Sequence, residues 1–113
     1  MIDRRLIGTW RSDRKKTFSD WVWPGKRSTK SKERFKALFG HLEIRYTARW
    51  CSVELKGSKS KWPYHVLAIN YNSVVIAKLD TATNEEQFSI LTFEGDWYWI
   101  PLGQNREWFR KIA

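Results

Sequence analysis

The chain has 113 residues and a mass of 13.6 kDa. It is 42% hydrophobic and 16% aromatic with eight Trp, so a single domain over residues 1–113 with a real core is expected and global disorder is excluded. It carries a net charge of +9; residues 1–36 alone hold twelve bases against four acids and so account for +8 of it. The one Cys excludes an internal disulfide and a multi-cysteine zinc site, and apolar runs of about four to six residues fall short of the roughly 20 a membrane helix needs.

Residues 5–11 (RLIGTWR) read as a short strand with Gly8 inside it, a mark of a bend or a close backbone approach. Residues 12–27 mix charges with Trp21 and Trp23 and end on Pro24-Gly25, which reads as an irregular loop closed by a turn. Ser28 or Ser31 caps a helix running to about Leu38, with Gly40 just past it. From His41 the period becomes two: Leu42, Ile44, Tyr46, Ala48 and Trp50 alternate with His41, Glu43, Arg45, Thr47 and Arg49. That pattern is a half-buried strand, which continues or bends and restarts through Cys51–Leu55 before a turn at Lys56-Gly57-Ser58. Strands follow at about Trp62–Tyr71, Ser73–Leu79, Glu86–Glu94, Trp97–Pro101 and Arg106–Ile112, joined by short polar turns. This is an all-β, mainly antiparallel chain, expected to close into an up-and-down barrel of about eight strands with one short helix between the first two.

Several residues could carry function. Arg14, Lys15, Lys16, Lys26 and Arg27 surround Trp21 and Trp23, and rings among cations suit base stacking with phosphate contacts or anchoring at an anionic membrane. The same two Trp could instead fold back to plug a barrel end, and the charge could simply aid solubility. Tyr46, Trp50, Trp97 and Trp99 are expected to line the barrel interior. Arg45 or Arg49 would meet an anion at its mouth if a bulge turned one of them inward. His41 and His65, 24 residues apart, do not define a metal site, so no metal and no cofactor are expected. Cys51 reads as a buried, inert thiol. No paired-carboxylate, phosphate-loop or serine-nucleophile signature stands out, so the chain is not read as an enzyme.

Gly8-Thr9-Trp10 in the first strand, the helical excursion before the second, and an Arg-bearing last strand (REWFR) resemble a lipocalin-like (calycin) barrel. FEGDWYWIPLGQNREWFRKI resembles the C-terminal part of small bacterial lipocalin-like domains. The resemblance implies that Trp10 packs across one barrel end under a cation from the last strand, Arg106 or Arg110, which ties the first strand to the last. Secreted lipocalins are longer and carry a Thr-Asp-Tyr motif not found here. With no signal-peptide core and no disulfide, the expected compartment is the cytoplasm.

The leading functional expectation is therefore non-catalytic binding of a small hydrophobic or amphipathic ligand, neutral or anionic, inside the barrel. A nucleic-acid or anionic-surface module built on segment 1–36 is the alternative. A filled barrel acting as a structural or oligomerising protein is a further one.

Overall fold

A computed structural model describes residues 1–113. Eight strands, β1 (Gly8–Ser12), β2 (Leu42–Tyr46), β3 (Trp50–Leu55), β4 (Ser58–Ile69), β5 (Ser73–Asp80), β6 (Glu85–Glu94), β7 (Trp97–Leu102) and β8 (Asn105–Lys111), pair antiparallel in chain order. The pairing of β1 with β8 closes the barrel. Two helices, α1 (Arg14–Ser19) and α2 (Thr29–Lys36), lie between β1 and β2. The strand directions put both helices at one end of the barrel, with the β3–β4, β5–β6 and β7–β8 turns. The termini and the other turns lie at the opposite end.

Besides strand limits that shift by a few residues, β1 beginning at Gly8 rather than Arg5 and β4 at Ser58 rather than Trp62, two local features differ from the sequence reading. The stretch expected to be a loop contains α1, capped by the Asp13 carboxylate accepting from Lys16 N–H at 2.8 Å. At six residues it is too short to show helical periodicity. The alternation over 41–50 is broken by a turn at residues 47–49, held by Thr47 N–H donating to Trp50 C=O. Tyr46 then pairs with Cys51, so both point inward and Trp50 is turned outward. Ser28 caps α2 as expected, accepting from Ser31 N–H at 3.1 Å.

The interior is packed with Leu6, Trp10, Ile44, Tyr46, Cys51, Tyr64, Val74, Ile76, Leu91, Tyr98 and Phe109, all buried. Tyr98 stacks on Phe109 at 4.9 Å and meets Trp10 at 4.7 Å. The Tyr46 and Tyr98 hydroxyls lie 3.3 Å apart, and no buried side-chain polar atom lacks a partner. The principal clefts lie at the barrel's ends and on its outer surface, and each includes exposed residues. An eight-stranded barrel can be filled by its own side chains, and this one is.

The end away from the helices is shut by the N-terminal turn. Trp10 Nε1 donates to Leu6 C=O at 2.9 Å. The Arg5 guanidinium pairs with buried Asp3, donates to the Asn70 and Tyr71 carbonyls of the β4–β5 turn, and lies over Phe93 at 4.7 Å. Gly8 has φ +138°, and a Cβ there would stand 2.7 Å from Ala113 C=O and 2.8 Å from Lys111 Cε. Only glycine lets the C-terminal strand come this close to β1.

Candidate functional site

The residues expected to line a pocket do not converge. Tyr46 is inside the packed core. Trp50 is 42% exposed, with Lys61 Nζ 4.7 Å from its ring. Trp97 and Trp99 lie on the outer face, because Tyr98 between them is the buried residue and strand neighbours alternate. They form a ladder with β8 and α1: Arg106 lies over Trp99 at 4.2 Å, Arg110 over Trp97 at 5.6 Å, and Lys16 between Trp97 and Trp108 at 4.8 and 4.4 Å. Thr17 Oγ1 accepts from Trp108 N–H, so α1 covers this face and buries Trp108.

Arg106 and Arg110 therefore do not close the barrel over Trp10. The cation over Trp10 is Lys111, 5.7 Å from its ring and one residue out of phase with the two arginines. Arg45 is exposed, opposite Thr9 and Ser52, with no bulge in β2; the one register shift lies in β4 between Val66 and Ala68. Arg49 sits in the β2–β3 turn and helps line a cleft of about 550 Å³ with Met1, Trp50 and His65. His41 lies at the helical end, its Nε2 2.8 Å from Ala37 C=O, while His65 is exposed on β4, so the two are not brought together. Cys51 is fully buried, and burial raises its thiol pKa.

Of the residues expected to form an anionic surface, Trp21, Trp23 and Arg27 line one cleft at the helical end, whereas Lys16 lies against Trp97 and Trp108 and Arg14 is held by Phe39 C=O. Phe18, Trp21, Trp23, Phe35 and Phe39 form a cluster of five rings with contacting centroids 4.7–6.1 Å apart. Its members are half-buried or exposed, so this is a second, smaller core outside the barrel. Asn105 pins it to the barrel, accepting from Val22 N–H at 2.8 Å and donating to Val22 C=O at 3.0 Å. Between cluster and β7–β8 turn opens a cleft of about 380 Å³ lined by Trp21, Trp23, Pro24, Arg27, Phe35 and Leu102, with Gln104 at its edge.

The partners of the twelve bases in residues 1–36 show which of them remain available. Arg5, Arg11 and Lys36 pair with carboxylates; Arg14 donates to Phe39 C=O; Lys16 and Lys32 lie over Trp rings. Arg4, Lys15, Lys26, Arg27, Lys30 and Arg34 have no carboxylate, carbonyl or ring partner, and all but Arg4 belong to the helical segment. One of these uncommitted cations, Arg27, lines the concave aromatic surface, and the other four lie elsewhere in the same helical segment.

A second titratable group sits just inside this end. Glu107 accepts from Ser12 Oγ at 2.7 Å, and Ser12 Oγ in turn accepts from Gly40 N–H. Burial raises the Glu107 pKa. The chain links the barrel to the α2–β2 connection, and nothing in the sequence pattern marked Glu107 as inward-facing. No helix is long and apolar enough to cross a membrane.

The fold and site together define an eight-stranded, side-chain-filled barrel carrying a cationic aromatic cleft on a helical appendage. No family model, no curated protein and no solved structure matches the chain.

Proposed function

We propose that this is a non-catalytic binding protein whose site is the cleft at the helical end, outside the barrel, and whose ligand is an anion bearing a flat or aliphatic apolar group. The reading rests on Arg27, a guanidinium without a protein partner, lining a cleft otherwise walled by Trp21, Trp23, Phe35 and Leu102. The size falls in the usual range for small-ligand sites, and apolar walls with a few placed polar groups are their usual make-up. Burying about 200 Å² of apolar ligand surface at about 25 cal/mol/Å² gives roughly 5 kcal/mol before the cost of association. Gly8, Trp10 and Lys111 together support reading the barrel as lipocalin-like, with the cation role on Lys111.

The test compares 8-anilinonaphthalene-1-sulfonate with the neutral N-phenyl-1-naphthylamine, by fluorescence titration. Trp21→Ala/Trp23→Ala is expected to abolish binding of both. Arg27→Gln is expected to weaken the sulfonate about tenfold and leave the neutral probe unchanged, one lost charge-assisted contact being worth roughly 1.5 kcal/mol or more. Undiminished binding to the double variant would place the site elsewhere.

A second reading, single-stranded nucleic acid, is favoured by the four further uncommitted cations, Lys15, Lys26, Lys30 and Arg34, since a small anion has no need of them.

A further inference from the structure

The ladder between β6 and β7 is short. It holds three pairs, Thr92–Trp99, Phe93–Tyr98 and Glu94–Trp97, whereas β5–β6 holds eight from Ser73–Thr92 to Asp80–Glu85. Ile100, Pro101 and Leu102 of β7 pair with β8 but not with β6, and Pro is a residue of strand edges. The N-terminal half of β6, Glu85–Ile90, is thus bonded to β5 on one side and has no strand on the other. It is also exposed: Phe88 is 65% and Ile90 52% accessible on the outer face, and Glu85, Glu86 and Gln87 are exposed beside them. An unpaired, partly apolar edge is a template for another strand.

We infer that this edge is an interaction surface that pairs antiparallel with the same edge of a second copy of the chain, about a two-fold axis at Phe88. Opposed residues of an antiparallel pair share a face, so a two-fold at this edge must pass through a residue. Centred on Phe88, the pairing sets Phe88 against its own copy, Gln87 against Ser89, Glu86 against Ile90 and Glu85 against Leu91. No carboxylate then faces a carboxylate. Glu86 and its copy are separated by about four residues of strand, roughly 13 Å, which exceeds the Debye length of about 8 Å at physiological salt.

Charge also favours this side as the place where two copies of +9 meet. Residues 80–94 hold Asp80, Glu85, Glu86 and Glu94 and no Lys or Arg, while the rest of the chain holds 21 bases against eight acids. An approach through residues 80–94 therefore sets no Lys or Arg of that segment against another. Pairing would satisfy the free backbone groups of both edges with roughly six hydrogen bonds and would join the outer faces bearing Phe88 and Ile90.

Sedimentation velocity over a micromolar to near-millimolar series tests the inference, with two variants. The wild type is expected to pass from monomer to dimer. Phe88→Lys sets ammonium against ammonium at the axis and is expected to weaken the dimer at least about tenfold; a melting curve checks its fold. Phe88→Cys should form a disulfide-linked dimer under mild oxidation, because antiparallel partners about 4.5–5.5 Å apart at Cα lie within disulfide reach. It should do so much faster than Tyr71→Cys, a control 88% exposed at the other end, and fully buried Cys51 does not interfere. Should Phe88→Lys unfold, the cross-linking comparison decides alone. A wild type monomeric throughout, a dimer indifferent to Phe88→Lys, or equal cross-linking at both positions overturns the inference. So does capture of a Lys-rich extended peptide by a chain that stays monomeric.

Discussion

Replacing Trp10 by Ala tests whether the barrel is filled and where it is tied shut. Trp10 is 1% exposed, touches Tyr98 and Phe93 at 4.7 and 6.1 Å, and its indole N–H is the partner of Leu6 C=O. Truncating a buried aromatic costs about 3–5 kcal/mol, and stranding the Leu6 carbonyl adds about 1 kcal/mol. The expected loss of about 4–6 kcal/mol is a quarter or more of the roughly 5–15 kcal/mol that holds a domain of this kind together. It should lower the melting temperature by roughly 15–25 °C. Urea denaturation followed by far-UV circular dichroism measures it without depending on the deleted fluorophore. Trp99→Ala is the comparator: its ring is on the outer face under Arg106, so its loss should cost about 1 kcal/mol. If Trp10→Ala costs under about 2 kcal/mol, or no more than Trp99→Ala, the packed-interior argument fails.

Gly8→Ala is expected to destabilise by about 2–3 kcal/mol, from backbone strain at positive φ plus displacement of the C-terminal carbonyl, and the same denaturation curve reads it. Glu107→Gln keeps an acceptor for Ser12 while removing a carboxylate whose pKa burial raises. The wild-type penalty is absent below 4.5 and grows as pH climbs through the folded value, so the variant should gain stability at neutral pH and gain none in acid. Burial pushes Tyr64 up to about 12 and Tyr98 well above the usual phenol range. Folded phenols that hold their protons longer than unfolded ones stabilise the fold below pH 10 and lose that contribution between 10 and about 12. Denaturation midpoints should therefore fall steeply across that window.

Much of the barrel was legible because strand alternation and short turns are local signals. The strand faces were harder, since a face depends on the turn that joins two strands. In the β7–β8 hairpin the two-residue turn Gly103-Gln104 sets Trp97 opposite Arg110 and Trp99 opposite Trp108. Arginines cannot point into a filled barrel, so the two Trp must share their outward face. The same turn chemistry puts Lys111 inward toward Trp10 and keeps Arg106 and Arg110 away from it. At Thr47–Arg49 the turn residues continue the period-two pattern, so the hairpin was hidden and Trp50 was placed on the wrong face. The cleft was legible only as a basic stretch with two Trp. Its concavity arises from the Asn105 tether across 83 residues of sequence, which no local pattern encodes.

Ionic strength separates the two occupants of that cleft. A small anion held by Arg27 alone makes one ion pair. Its affinity should therefore fall no more than about fourfold between 50 and 200 mM salt, since one charge contributes a log–log slope of at most about −1. A single strand that engaged Arg27 together with Lys15, Lys26, Lys30 and Arg34 would neutralise five phosphates. At about −0.7 per phosphate the slope is roughly −3.5, and the same fourfold change in salt lowers affinity by about a hundredfold. Both experiments can be read from intrinsic fluorescence, because Trp21 and Trp23 line the site. Converting Lys15, Lys30 and Arg34 to Gln should reduce the slope for a fluorescent oligonucleotide to about −1.4 and leave the small-anion titration unmoved. A slope near −1 for the oligonucleotide with the wild type would reduce its contact to Arg27 alone, and with it the case for a polyanion.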